Sequence, residues 1–106
     1  MPPVPPNIFY GTVTYEGEPA QSGYISIYGA DGRYLTSGLV TAGTYGQSSP
    51  CRVKGDDPGT TTVEGATAGE QLDFYLRRPD GVKIRAKGTH PVFRVAKSTR
   101  FDVVTP

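Results

Sequence analysis

The sequence predicts an all-β domain, a two-sheet sandwich of about seven to nine short strands. Five glycine-centred turn signals cut the 106 residues into short runs: Glu16-Gly17, Asp31-Gly32, Gly55-Asp56-Asp57-Pro58-Gly59, Glu64-Gly65 and Asp80-Gly81. The runs between them are rich in Val, Ile, Thr, Tyr and Phe, residues that suit a pleated, half-buried surface. No run is long enough to read as a helix. The 14 glycines and 10 prolines follow no collagen period, so their excess reads as turns.

Residues 1–7 form a polyproline-type arm, in which Pro2, Pro3, Pro5 and Pro6 have no amide to donate. Residues 8–106 form the sandwich. Its first strand is Ile8 to Tyr15, with Phe9, Val13 and Tyr15 on one face and Gly11 marking close approach by another backbone. Gly23 to Tyr28 follows, with Ile25 and Ile27 inward and Tyr24, Ser26 and Tyr28 on the other side. Asp31-Gly32 is a hairpin signal. The stretch Tyr34 to Gly46 holds one strand, Leu39 to Tyr45, behind an irregular lead-in.

Cys51 to Lys54 is a short strand whose alternation sends Cys51 and Val53 inward. Thr60 to Val63 fits strand or loop. Leu72, Phe74 and Leu76 face inward on the next strand, and Val82 to Ala86 alternates again. Val92 to Val95 and Arg100 to Val104 complete the set, with Phe101 and Val103 inward.

The net charge of +1 hides an asymmetry. Leu76 to Arg100 holds eight bases against the single acid Asp80, so the rest of the chain, with three bases and nine acids, carries −6. Lys83, Arg85 and Lys87 share one strand parity and so one face. No aromatics interleave with these bases, which speaks against a nucleic-acid platform. No apolar stretch approaches the ~20 residues of a membrane span. The opening Met1 to Pro6 lacks the basic and apolar regions of a signal peptide.

Catalytic and metal-binding patterns are missing. The lone Cys51 reads as a small buried hydrophobe, and the lone His90, in Gly88-Thr89-His90-Pro91, as an ordinary loop residue. One histidine and one cysteine make a poor transition-metal set. Asp56 and Asp57 lack the spacing of a calcium loop and read as turn-capping residues. The sequence therefore predicts neither an enzyme nor a cofactor.

The string Ile8-Phe9-Tyr10-Gly11-x-Val13, then Gly17-x-Pro19-Ala20-x-x-Gly23 and Ile25-x-Ile27, resembles carboxypeptidase-regulatory-like (transthyretin-like) β-sandwich modules of prokaryotic surface proteins. Gly43-Thr44-Tyr45-Gly46, Val53-x-Gly55-Asp56-Asp57, Leu72-x-Phe74-Tyr75 and Arg100-Phe101-Asp102-Val103 extend the resemblance over nearly the whole chain. It implies an Ig-like, transthyretin-like frame that is generally non-catalytic and acts as spacer, stabiliser or partner-binding surface.

Two functions are expected from this reading. The first is a structural subunit that self-assembles or decorates a surface, as an extracellular filament or virion component. Its contacts would be the arm (Pro3, Pro5, Pro6), the first strand (Ile8, Tyr10), outward tyrosines (Tyr24, Tyr28, Tyr75) and the bases Lys83, Arg85 and Lys87. Its partners would be copies of itself or another surface protein. The second is a module that binds glycans or another surface polymer, with Tyr24, Tyr28 and Tyr75 as platforms.

Overall fold

Strand β1 (Asn7–Tyr15) is the spine of the protein, and its alternation is strict enough to bury Phe9 and Val13 while Ile8 and Tyr10 stay half-covered. The structure is a computed structural model that describes residues 6–46, 51–55 and 65–105. Among these there is no helix; the chain is all-β. Pro3, Pro5, Asp56, Asp57 and the run Thr60 to Val63 lie outside the described residues.

After β1 come β2 (Glu18–Pro19), β3 (Tyr24–Tyr28), β4 (Tyr34–Thr41), β5 (Thr44–Tyr45) and β6 (Cys51–Val53). The second half holds β7 (Asp73–Arg77), β8 (Lys83–Arg85), β9 (Ser98–Arg100) and β10 (Val103–Thr105). They join into one mostly antiparallel sheet curled into a half-barrel, running β10-β1-β5-β4-β3-β7-β8. Just past β8, the Lys87 amide reaches the Val104 carbonyl of β10 at 2.8 Å.

β1 is hydrogen-bonded on both sides. Its first half lies between antiparallel β6 and parallel β9, its centre pairs with β5, and its last residues lie between β2 and parallel β10. The changeover falls at Gly11. A Cβ there would lie 2.5 Å from the Phe101 carbonyl oxygen, so the backbone contact expected at this glycine is present. Phe101 and Asp102 also break the expected Arg100–Val104 strand into β9 and β10. The Asp102 carboxylate fills the gap, accepting the Thr12 amide at 3.0 Å.

The interior follows strand parity. Phe9, Val13, Ile25, Ile27, Cys51, Val53, Leu72, Phe74, Leu76 and Val103 are all buried, as alternation predicts. Each large side chain taken from water contributes about 1.5–3 kcal/mol. Phe74 is the hub, with Phe9, Phe101 and His90 set edge-on at 5.1, 4.7 and 5.9 Å between ring centroids. Cys51 fits because β4 offers it Gly38, where a Cβ would come within 3.0 Å of the sulfur.

Three expectations need correction. The strand expected over Leu39 to Tyr45 is two: β4 starts at Tyr34, its irregular entry being a register shift at Leu35, and the chain turns at Ala42-Gly43, both with positive φ, before β5. Val92 to Val95 is no strand: Val92 makes a single bridge to Gln71, and a turn follows at Val95-Ala96, where Ala96 has a φ of 58°. Asn7 belongs to β1 and not to the arm. It is fully buried; its Nδ2 donates to the Lys97 carbonyl (2.9 Å) and Thr99 Oγ1 (3.2 Å), and its Oδ1 accepts the Arg94 amide (2.8 Å).

Candidate functional site

The outer face of β4-β3-β7-β8 gathers the side chains with most to offer a partner. Antiparallel register sets the rows: Leu39, Tyr24, Arg77 and Lys83 lie abreast, then Ser37, Ser26, Tyr75 and Arg85, then Tyr34, Tyr28 and Asp73. Directly opposed residues in such a sheet share a face. This one therefore carries four tyrosines and three bases. Tyr24, Tyr34 and Leu39 are 50%, 57% and 46% exposed, high values for large hydrophobic residues.

The tyrosines are not equivalent. Tyr28 packs edge-on against both Tyr34 (5.8 Å) and Tyr75 (5.4 Å). Lys83 Nζ sits over the Tyr28 and Tyr75 rings at 4.4 and 4.9 Å and donates to the Tyr28 hydroxyl at 3.3 Å. Those two rings are thus occupied by the protein's own cation, which leaves Tyr24 and Tyr34 as the open aromatic surfaces. A groove of about 420 Å³ runs between them, lined by Tyr24, Ser26, Tyr28, Tyr34, Ser37 and Arg77. Ser26 forms part of its wall and is only 3% exposed.

Strand parity had pointed to Tyr24, Tyr28, Tyr75, Lys83 and Arg85, and the fold brings all five onto this one face. Parity does not mark Tyr34, because Thr36, Gly38 and Val40 include only one hydrophobe and the register shift at Leu35, which packs against the core, breaks the alternation beside it. Lys87 lies beyond the end of β8, where its amide turns toward β10, so the basic row stops at Arg85. Ile8 and Tyr10 lie elsewhere, on β1, beside Arg52, Ser98 and Arg100. Pro6 leads into β1.

Among the described residues, three of the eight bases between Leu76 and Arg100 meet an acid in space, so the charge asymmetry of the sequence is only partly offset. Arg85 pairs with Asp73 (3.0 Å), Arg78 with Asp80 (3.6 Å) and Arg100 with Asp102 (3.1 Å). Arg77 and Lys83 have no acidic partner among the described residues.

The reactive side chains serve the frame. His90 lies in a loop, as expected, but it is no ordinary loop residue: at 4% exposed it belongs to the core. Its Nδ1 accepts the Phe74 amide (3.0 Å), so the neutral ring carries its proton on Nε2 and donates to the Ala86 carbonyl (2.8 Å). Asp73 Oδ1 is 3.7 Å from Nδ1, but both ring nitrogens are already engaged by backbone. Burial pushes the Cys51 thiol up to about 12.

Glu70 clamps the β3–β4 hairpin loop by accepting the Ala30 amide (2.9 Å) and the Thr67 amide (3.0 Å), with Arg33 at 3.4 Å. Burial raises its pKa, but the two amides and the guanidinium outweigh that and leave the carboxyl below its ordinary value. Among the described residues no three of His, Cys, Asp and Glu gather closely enough to hold a metal ion. No helix among the described residues is long and apolar enough to cross a membrane.

No protein-family model matches the chain, and neither does any curated protein or solved structure.

Proposed function

We propose that this chain is a non-enzymatic structural subunit that decorates an extracellular or particle surface and holds to it through the outer face of β4-β3-β7-β8. The observation that carries this reading is the exposure of Tyr24, Tyr34 and Leu39 beside Arg77 on a rigid sheet. Tyrosine and arginine are enriched where proteins meet partners, because both offer large contact area with polar reach. In this reading the curled sheet is a two-layer, Ig-like and transthyretin-like sandwich. Its resemblance to carboxypeptidase-regulatory-like modules agrees with a frame whose work is done on its surface.

The test is retention of the purified chain on a panel of immobilised polymers: neutral glycans, acidic glycans and protein-coated beads. The wild type is expected to be retained on at least one, and Tyr24→Ser/Tyr34→Ser to be released from it. Equal retention of both chains on every support would overturn the reading.

A second reading, self-assembly through the proline arm, is favoured by the buried root of that arm. Pro6 leads directly into Asn7, whose three long-range hydrogen bonds hold the start of β1 in place. β1 is paired on both sides, so a neighbour's contacts would fall to the arm and to short edges such as β8. Light scattering at two concentrations separates the two readings. A monomer at both supports surface decoration, and growth with concentration supports assembly.

A further inference from the structure

We infer that the groove beside Ser26 is a binding site for an acidic saccharide, a chain of sugar rings bearing carboxylate or sulfate groups. This rests on the reading of the outer sheet face as the contact surface and names its ligand class.

Four observations converge on that chemistry. Tyr24 and Tyr34, each half exposed or more, border the groove and offer aromatic surface against which the C–H face of a sugar can pack. Ser26 and Ser37, directly opposed across β3 and β4, supply hydroxyls for the sugar's own. The Ser37 hydroxyl already accepts from Tyr34 (3.0 Å), which orients the Tyr34 ring, while the Ser26 hydroxyl makes no hydrogen bond among the described residues. The volume falls within the roughly 300–1,000 Å³ typical of small-ligand clefts.

Charge supplies the fourth. Arg77 and Lys83 are directly opposed across β7 and β8, and like charges in that relation repel. Their neighbour Arg85 has Asp73 as an internal counter-ion, and these two have none among the described residues. Arg77 lies beside Tyr24 on the groove wall, so an anionic group on a sugar stacked at Tyr24 would lie within reach of the guanidinium. A second copy of the chain is a poorer occupant. Two such faces meeting across a two-fold axis would oppose the same cations.

The experiment titrates the full chain with a galacturonic acid hexamer and with its fully methyl-esterified form, read by calorimetry and tyrosine fluorescence. The acidic hexamer is expected to bind at least tenfold more tightly than the ester. Arg77→Ser and Tyr24→Ser should each weaken it about tenfold while leaving the melting temperature unchanged, since both side chains are exposed. Equal affinity for acid and ester would overturn the acidic assignment while leaving the face as a glycan site. Acid binding that neither substitution alters would place the anion elsewhere and overturn the inference. A chain that binds neither hexamer, yet loses retention on protein-coated beads when Tyr24 and Tyr34 are replaced, would overturn the inference and leave the proposed function standing.

Discussion

The amide of Phe74 donates to Nδ1 of His90 at 3.0 Å, tying the centre of β7 to the segment that follows β8. The same ring donates from Nε2 to the Ala86 carbonyl and packs edge-on against the Phe74 ring. The single imidazole of the chain thus does the work of a β-ladder where no strand is present to do it.

Replacing His90 by Phe keeps the aromatic volume but strands the Phe74 amide and the Ala86 carbonyl in the core. Each buried polar group left unpaired costs about 1–3 kcal/mol. His90→Phe should therefore unfold at clearly lower urea, and His90→Gln, whose amide both accepts and donates, should recover part of the loss. Equal midpoints for wild type and His90→Phe would contradict the assigned hydrogen bonds.

Gly11 faces the Phe101 backbone with no room for a methyl group. Gly11→Ala must displace the β9–β10 junction and is expected to cost about 1–3 kcal/mol, the range for overpacking. Gly17→Ala, where a Cβ meets nothing within 4 Å but φ is 83°, is the control, because it tests backbone strain without a clash. Denaturation midpoints of the two variants rank these effects, and Gly11→Ala is expected to be the lower.

Asn7→Ala removes the side chain that joins β1 to Arg94, Lys97 and Thr99. The Arg94 amide and Lys97 carbonyl lose their side-chain partner, for an expected cost of about 2–3 kcal/mol. Amide hydrogen exchange should rise first at Arg94 and around the turn at Ala96. Unchanged protection there would show that Asn7 does not hold this corner.

Two buried groups set an alkaline limit. Burial raises the Cys51 thiol from 9.0 to about 12 and lifts the Tyr45 phenol above its ordinary range, the latter also through Cys51 and Asp102. A folded-state pKa above the unfolded one means the folded form holds the extra proton, so stability is complete below the unfolded value and is lost as pH rises. For Cys51 the loss runs from about pH 9 to 12, at up to about 1.4 kcal/mol per pH unit. Cys51→Ala should flatten part of that slope in denaturation curves, and a native thiol that labels rapidly at pH 8 would contradict its burial.

The acid side has the opposite sign. The Thr12 amide, then the Arg100 guanidinium, hold the Asp102 carboxyl below its ordinary value, and Glu70 is held down by the Thr67 and Ala30 amides despite burial. Their contribution is present above the unfolded values and fades as pH falls through the lowered ones. Glu70→Gln should remove part of the acid sensitivity while freeing the Gly29–Arg33 loop, which limited proteolysis would detect.

Much of the frame could be read from neighbouring residues alone, because turn chemistry and strand parity are local. Glu16-Gly17 and Asp31-Gly32 turn where expected, and Phe9, Val13, Ile25, Ile27, Leu72, Phe74 and Leu76 all point inward. The same parity put Tyr24, Tyr28 and Tyr75 on outer faces, though it could not say that β3 and β7 lie side by side or that Lys83 would cover two of the rings. Only the end of β4, from Leu39, is legible in the sequence, because Thr36 and Gly38 fill inward positions of its first part, and Gly38 is needed where Cys51 arrives from β6. The burial of His90, the break at Phe101-Asp102 and the groove beside Ser26 depend on partners far away in the chain. Register between distant strands is decided by packing over the whole sheet, and no local window of residues carries that information.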